Sequence, residues 1–271
     1  MSDLYPVKES IRERAHIGSM EEYERQYRLS LDNPEWFWAE QAKTIDWFHP
    51  FSLVFDADYE EVDFAWFSGG RLNASFNCID RHVRAHGERT AIIWAGDEPG
   101  TYRHISYREL KHQVCKLANV LKAHGVRKGD RVCIYMPMIP ELAYAMLACA
   151  RIGAVHSVVF GGFSAESLRD RIVDAGCKVI LTADEGLRGG KRIPLKNITD
   201  RAVEGMSMVE TVLVARRTNA DVNMEPGRDH WLDEEMAKQR STCTIEWMGS
   251  EDPLFILYTS GSTGKPKGVL H

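Results

Sequence analysis

From Ser106 onward the chain alternates between a helical and a strand pattern, and this alternation limits the folds open to it more than any other feature. Ser106 and Glu109 have capping-box spacing, apolar residues recur at Leu110, Val114, Leu117 and Leu121, and Gly125 marks the helix end. The apolar run Arg131 to Tyr135 reads as a strand, followed by a helix opening at Pro140 and ending near Gly153. A strand from Val155 to Phe160 leads to a helix capped by Ser164. Another from Lys178 to Thr182 leads to a helix through Leu195 to Val203, and Thr211 to Ala215 forms a further strand. Strands separated by helices predict an α/β fold, a mostly parallel sheet with helices on both faces. Ligands of such sheets bind beyond the carboxyl ends of the strands. Three segments leave strands at that edge and are the candidate functional loops: Phe160 to Phe163, Glu185 to Arg192, and Thr259 to Gly268.

The amino-terminal part has a different character. Two helices are expected before Phe55, the second with Asn33 as cap, Pro34 at its first position and a run toward Lys43. Trp36, Phe37, Trp38, Trp47, Phe48 and Phe51 read as packing anchors. Residues 1–55 are therefore expected to form a helical, Trp-rich extension, and residues 56–271 the α/β portion. A third helix is expected over Asn73 to His86, then a hairpin from Thr90 to Trp94 returning through Gly96 to Gly100 toward Tyr102.

With an apolar fraction of 44% over 271 residues, the chain can bury a sizeable core. Its net charge of -5 and interspersed basic residues present no continuous positive face, which argues against nucleic acid as a partner. The most apolar stretch, Leu142 to Phe163, is interrupted by Arg151 and His156 and is too short to span a bilayer. Cys78, Cys115, Cys133, Cys149, Cys177 and Cys243 lie far apart without a C-x-x-C pair and read as buried free thiols. With an amino terminus that lacks an apolar segment, they predict a reducing, cytoplasmic setting.

The last fourteen residues, Tyr258 to His271, read YTSGSTGKPKGVLH. Glycines allow close backbone approach, Ser and Thr add hydroxyl donors, and Lys265 and Lys267 bring positive charge, a composition suited to the phosphates of a nucleoside triphosphate. The ordinary P-loop is excluded. Only Ser262 and Thr263 separate Gly261 from Gly264, and Pro266 stands where the magnesium-binding hydroxyl would be. Pro266 also steers Lys265 away from helical geometry.

This stretch resembles the phosphate-binding motif of the adenylate-forming superfamily, which includes acyl-CoA synthetases, luciferases and the adenylation domains of peptide synthetases. Trp66-Phe67-Ser68-Gly69-Gly70-Arg71-Leu72-Asn73, continuing through Asn77, Cys78, Asp80, Arg81 and His82, is similar to the short-chain branch, AMP-forming acetyl-CoA synthetases above all. The Trp-rich extension points the same way, so the resemblance covers essentially the entire chain. It implies that Thr259, Ser260, Gly261, Ser262, Thr263, Gly264, Lys265 and Lys267 hold the β and γ phosphates of ATP, with Mg2+ sharing their charge.

Two further segments take meaning from the resemblance. Leu187-Arg188-Gly189-Gly190-Lys191-Arg192 is, on composition alone, either a solvated basic turn or a phosphate site. Phe160-Gly161-Gly162-Phe163 is, alone, either a tight strand-to-helix turn or a ligand contact. The resemblance assigns Arg188, Gly189, Gly190 and Lys191, together with Phe160, Gly161 and Gly162, to coenzyme A. The implied reaction joins acetate to the α-phosphorus of ATP, releases pyrophosphate, and passes the acetyl group to the coenzyme A thiol. The family's acyl pocket, adenine motifs, magnesium ligands and adenylation lysine lie downstream of the phosphate loop, so an amino-terminal fragment, inactive alone, is expected. A propionyl-CoA synthetase fragment and a non-catalytic nucleotide- or coenzyme A-binding module are the alternatives. His82, His104 and His156 lack metal-ligand spacing and read as structural or surface residues, and no metal site is expected.

Overall fold

The structure, a computed structural model, describes residues 5–259 and 266–271. It divides into two compact units, Met1–Gly70 and Arg71–His271.

In the first unit, a short helical turn Glu9–Arg12 precedes the helices Met20–Asp32 and Pro34–Ala42. Ser19 caps the first of these by accepting from Glu22 N at 3.2 Å, and Asn33 caps the second by accepting from Trp36 N at 3.4 Å. A hairpin, Leu53–Asp58 with Asp63–Ser68, follows. Trp47, Phe51 and Phe67 form one ring cluster, with centroids 5.0 to 5.5 Å apart. Trp36, Trp38 and Phe48 are exposed, so these aromatics are not all buried, although Trp38 meets Phe37 and Trp66 edge to face. Consecutive helical residues point about 100° apart, so Trp36, Phe37 and Trp38 cannot share one buried face.

The second unit is built on a sheet of seven strands. In chain order these are β1 (Arg131–Tyr135), β2 (Val155–Val158), β3 (Val179–Ala183), β4 (Thr211–Ala215), β5 (Asp229–Trp231), β6 (Phe255–Thr259) and β7 (Lys267–Leu270). Across the sheet they run β5-β4-β3-β1-β2-β6-β7, parallel except for β7, which returns antiparallel to β6. β3 and β4 are buried along their whole length, as strands covered on both faces must be, and their near-unbroken apolar runs follow from that.

Five helices cover the sheet: α1 (Tyr107–Ala123), α2 (Pro140–Arg151), α3 (Ala165–Ala175), α4 (Leu195–Val203) and α5 (Leu232–Ala237). Helix α1 packs against α2 and α5, while α3 packs against α4. This partition follows from connectivity. The chain steps from β1 to β2 in one direction, then crosses back past β1 to β3 and on to β4 in the other, so right-handed crossovers put α2 on one face and α3 and α4 on the opposite one. Leu110, Val114, Leu117 and Leu121 of α1 are all buried, and Gly125 takes the left-handed conformation (φ 82°) that ends the helix.

The helix expected over Asn73 to His86 contains a π-helical turn, Phe76–Asp80, before Arg81–His86. Asn73 Nδ2 donates to Ala150 O at 2.8 Å, and the Asp80 carboxylate accepts from Arg151 Nη1 at 2.7 Å. The extra residue in the turn aligns both side chains with the end of α2. Cys78 is exposed, a correction to the reading of six buried thiols. The other five cysteines are buried and unpaired.

Candidate functional site

The connection leaving β1 goes to one side and that leaving β3 to the other, which opens a crevice at the carboxyl ends of the central strands. A cleft of about 550 Å³ occupies this position. Its floor is the segment after β1, Met136 to Ile139. One wall is the turn after β2, Phe160 to Gly162, and the other is the segment after β3 with Leu187, Arg188 and Ile193.

The basic segment, expected as a loop, is a small hairpin, Gly186–Arg188 paired with Lys191–Ile193. Gly189 and Gly190 form its tip at φ 54° and 75°, left-handed values at both positions that ordinary residues resist. The pairing fixes which way Arg188 faces, and its guanidinium carbon lies 4.9 Å from the centroid of the Phe160 ring. Phe160 itself is exposed. A solvent-facing aromatic flanked by a cation can accept a flat base on one and an anionic group on the other. Of the residues assigned to coenzyme A, Phe160, Gly161, Gly162 and Arg188 are brought together at the cleft. Gly189, Gly190 and Lys191 are not among its lining residues.

The glycines of the turn have packing roles. A Cβ on Gly161 would come within 3.1 Å of Met136 O, and one on Gly162 within 2.5 Å of the Phe160 ring. Tyr135, at the end of β1, donates its hydroxyl to Phe163 O at 2.8 Å and so pins the turn from below. Burial raises this phenol to about 12, which keeps the donor protonated.

The segment expected to hold phosphate, Thr259 to Lys267, falls in sequence between β6 and β7. Ser260, Gly261, Ser262, Thr263, Gly264 and Lys265 lie outside the described residues. Thr259 and Lys267 face each other across the pair, and both are exposed. Arg171 of α3 links this end of the sheet to the Phe160 turn, with its guanidinium 4.7 Å from the Phe163 ring and 5.3 Å from the Tyr258 ring. Tyr258 also donates to Asp174 Oδ2 at 2.7 Å, and burial together with that bond raises its phenol. The candidate segments therefore share one edge of the sheet, although β6 and β3 are not neighbours.

Sequence reasoning missed Arg217, Trp94 and Asp97, which also line the cleft. Arg217 follows β4, and its Nη2 is buried without a hydrogen-bond partner among the described residues. Its backbone N donates to Asp184 Oδ1 at 2.8 Å. That fully buried carboxylate also accepts from the backbone of Glu185, Thr218 and Ala220. The position of Asp184 at the end of a buried strand was the available sign, since an acid there must find several donors. Trp94 comes from the hairpin Thr90–Ala95 and Tyr102–Ser106 and lies 5.3 Å from the Arg217 guanidinium.

Residues 79–271 match the family described as AMP-binding enzyme, and residues 23–78 match the acetyl-coenzyme A synthetase N-terminus. Acetyl-coenzyme A synthetase 2 of Pseudomonas aeruginosa is 58% identical over 269 residues, which is 99% of this chain and 42% of that protein. Acetyl-coenzyme A synthetase of Alkalilimnicola ehrlichii is 54% identical over 274 residues, again 42% of its length. Acetyl-coenzyme A synthetase 2 of Pseudomonas putida is 57% identical over 267 residues, 41% of its length. The chain thus spans about 42% of the length of the curated relatives it matches.

Proposed function

Because this chain belongs to the AMP-binding enzyme family, we propose that it forms part of an AMP-forming acetate–CoA ligase and contributes two binding segments to that enzyme. The cleft between the Phe160 turn and the Arg188 hairpin is the half-site for the nucleotide end of coenzyme A. The segment from Thr259 to Lys267 is the cradle for the ATP phosphates. The observation that carries the first assignment is the cation beside the exposed ring, Arg188 at 4.9 Å from Phe160. Arg217 supports it, because a buried guanidinium nitrogen without a partner is costly unless an anionic group completes it.

In this reading Phe160 supplies a stacking face, and Arg188 and Arg217 balance phosphate charge. The glycines at 161 and 162 keep the turn tight enough for the ring to stand at the cleft mouth. Lys267 and the hydroxyl of Thr259 stabilise charge on the leaving pyrophosphate. Mg2+ would share that charge when bound, and no described residue is assigned to it. Acetate is favoured over propionate by the names of the relatives. A reducing, cytoplasmic setting is part of the same proposal, supported by the buried unpaired thiols. Among the described residues no helix is long and apolar enough to cross a membrane.

The test uses a protein carrying this chain together with the remaining length its relatives have. Arg188→Ala should raise the KM for coenzyme A by about tenfold or more while leaving acetate-dependent ATP–pyrophosphate exchange unchanged. Loss of exchange with unaltered KM for coenzyme A would overturn the assignment, and exchange that prefers propionate would overturn the acetate reading.

A further inference from the structure

Away from the cleft, side chains from three separate elements meet: His124 at the carboxyl end of α1, His230 in β5 and Glu235 in α5. One potential ligand atom from each lies within 4.8 Å of the others. His124 Nε2 stands 3.2 Å from Glu235 Oε2, and the two imidazole centroids are 4.7 Å apart with planes at 53°. We propose that these three residues bind a divalent transition-metal cation of the zinc class.

The donor set selects the metal. Two imidazoles and one carboxylate suit zinc and its neighbours, whereas calcium and magnesium require mostly oxygen. With metal–ligand bonds of about 2.1 Å, adjacent ligands of a tetrahedron are about 3.4 Å apart, close to the His124–Glu235 separation. The wider gap closes by rotation of a ring about its side-chain bonds. His124 is also the cap residue at the carboxyl end of a helix of 17 residues, where the helix dipole favours positive charge.

The surroundings leave the site usable. Lys238 Nζ donates to Glu235 Oε1 at 2.6 Å, on the oxygen that does not face His124, and its side chain is largely exposed and free to swing aside. The His230 ring meets that of His124 at a tilt, and among the described residues its side chain has no hydrogen-bond partner. Both His124 and Glu235 keep some solvent exposure, which gives the ion a path in and a water to complete the fourth position. None of the three lines the cleft, so the site stands independently of the ligase reading.

The consequence is mechanical. β5 has three residues and sits at the outer edge of the sheet, and α5 has six. Both are too short to hold themselves, and a shared cation ties them to the long, core-packed α1. Without a metal the same residues form only a histidine–carboxylate pair.

The test uses the full chain, stripped of metal with a chelator and titrated with Co2+ and then Zn2+. The expected result is one equivalent bound with micromolar or tighter affinity, visible absorption bands of tetrahedral cobalt, and a raised Tm with zinc. Glu235→Gln and His230→Gln should each weaken binding by about tenfold or more. Metal-free circular dichroism matching the unsubstituted chain confirms that both variants fold, and His124→Asn provides a third probe if either does not. No stoichiometric binding, or affinity unchanged in the folded variants, overturns the proposal.

Discussion

His156 is buried on β2 with its ring 5.6 Å from that of Phe255, and burial lowers its pKa from 6.5 to about 4. The folded chain therefore keeps this imidazole neutral in a range where the unfolded chain takes up a proton. Its contribution is fully present above about pH 6.5 and is lost as pH falls toward 4, at up to about 1.4 kcal/mol per pH unit and about 3 kcal/mol over the window. Urea unfolding at several pH values should show this slope in the natural chain and a shallower one in His156→Phe; equal slopes would rule the account out. Lys196 carries a second residue-scale prediction. Fully buried, its Nζ meets Asp229 Oδ2 at 2.7 Å, Asp200 Oδ1 at 2.7 Å and Asn223 O at 2.7 Å. Burial alone would raise the Asp229 carboxyl, but hydrogen bonds from Arg228 and Lys196 outweigh it and hold it below its ordinary value. That stabilisation is present above the ordinary carboxylate pKa and is lost as pH falls through the lower folded value. Lys196→Met takes one of two cations from the buried Asp229 carboxylate, leaving Arg228 to pair it, and should cost about 1.5–3 kcal/mol in denaturant unfolding. A loss below about 1 kcal/mol would show that the network is not holding α4 to the sheet.

At the scale of elements, the hairpin Gly186–Arg188 and Lys191–Ile193 is the part on which the cleft depends. Replacing Gly189 and Gly190 together by Ala forces two left-handed residues at about 1–2 kcal/mol each and should fray the tip. Coenzyme A affinity should fall while the Tm of the whole chain moves little, because the hairpin lies outside the main sheet. An unchanged affinity would mean that the hairpin does not orient Arg188. Helix α3 offers a milder test: Ser164 accepts from Ser167 N at 3.3 Å, and Ser164→Ala should cost about 1 kcal/mol of stability. Most elements were readable because local signals agreed with their environment. β1, β3 and β4 are apolar runs bounded by turns, and Ser106, Pro140 and Ser164 open their helices where the caps predict. β5 is not legible in the sequence because three residues, Asp229, His230 and Trp231, carry no periodicity. The Glu185 to Arg192 segment reads as a loop in sequence because paired glycines and cations suit a short hairpin and an open turn equally.

For the whole second unit, the class of fold was legible and the strand order was not. Nothing local in the sequence states that the chain returns past β1 between β2 and β3, yet that crossing opens the crevice at which Phe160 and Arg188 meet. The distant contributors were invisible for the same reason: Arg217 and Trp94 reach the cleft from segments far apart in sequence, and a lone arginine after a strand looks like an ordinary surface residue. His124, His230 and Glu235 likewise converge only through the fold. The central claim, that the cleft at the carboxyl ends of the central strands receives the nucleotide end of coenzyme A, is tested most directly by titration calorimetry of coenzyme A on a protein carrying this chain with the remaining length of its relatives, and on its Arg188→Ala variant. The account predicts one binding event that Arg188→Ala weakens by about tenfold or more with Tm unchanged. The same affinity in both proteins, or no binding by the unsubstituted protein, would contradict it.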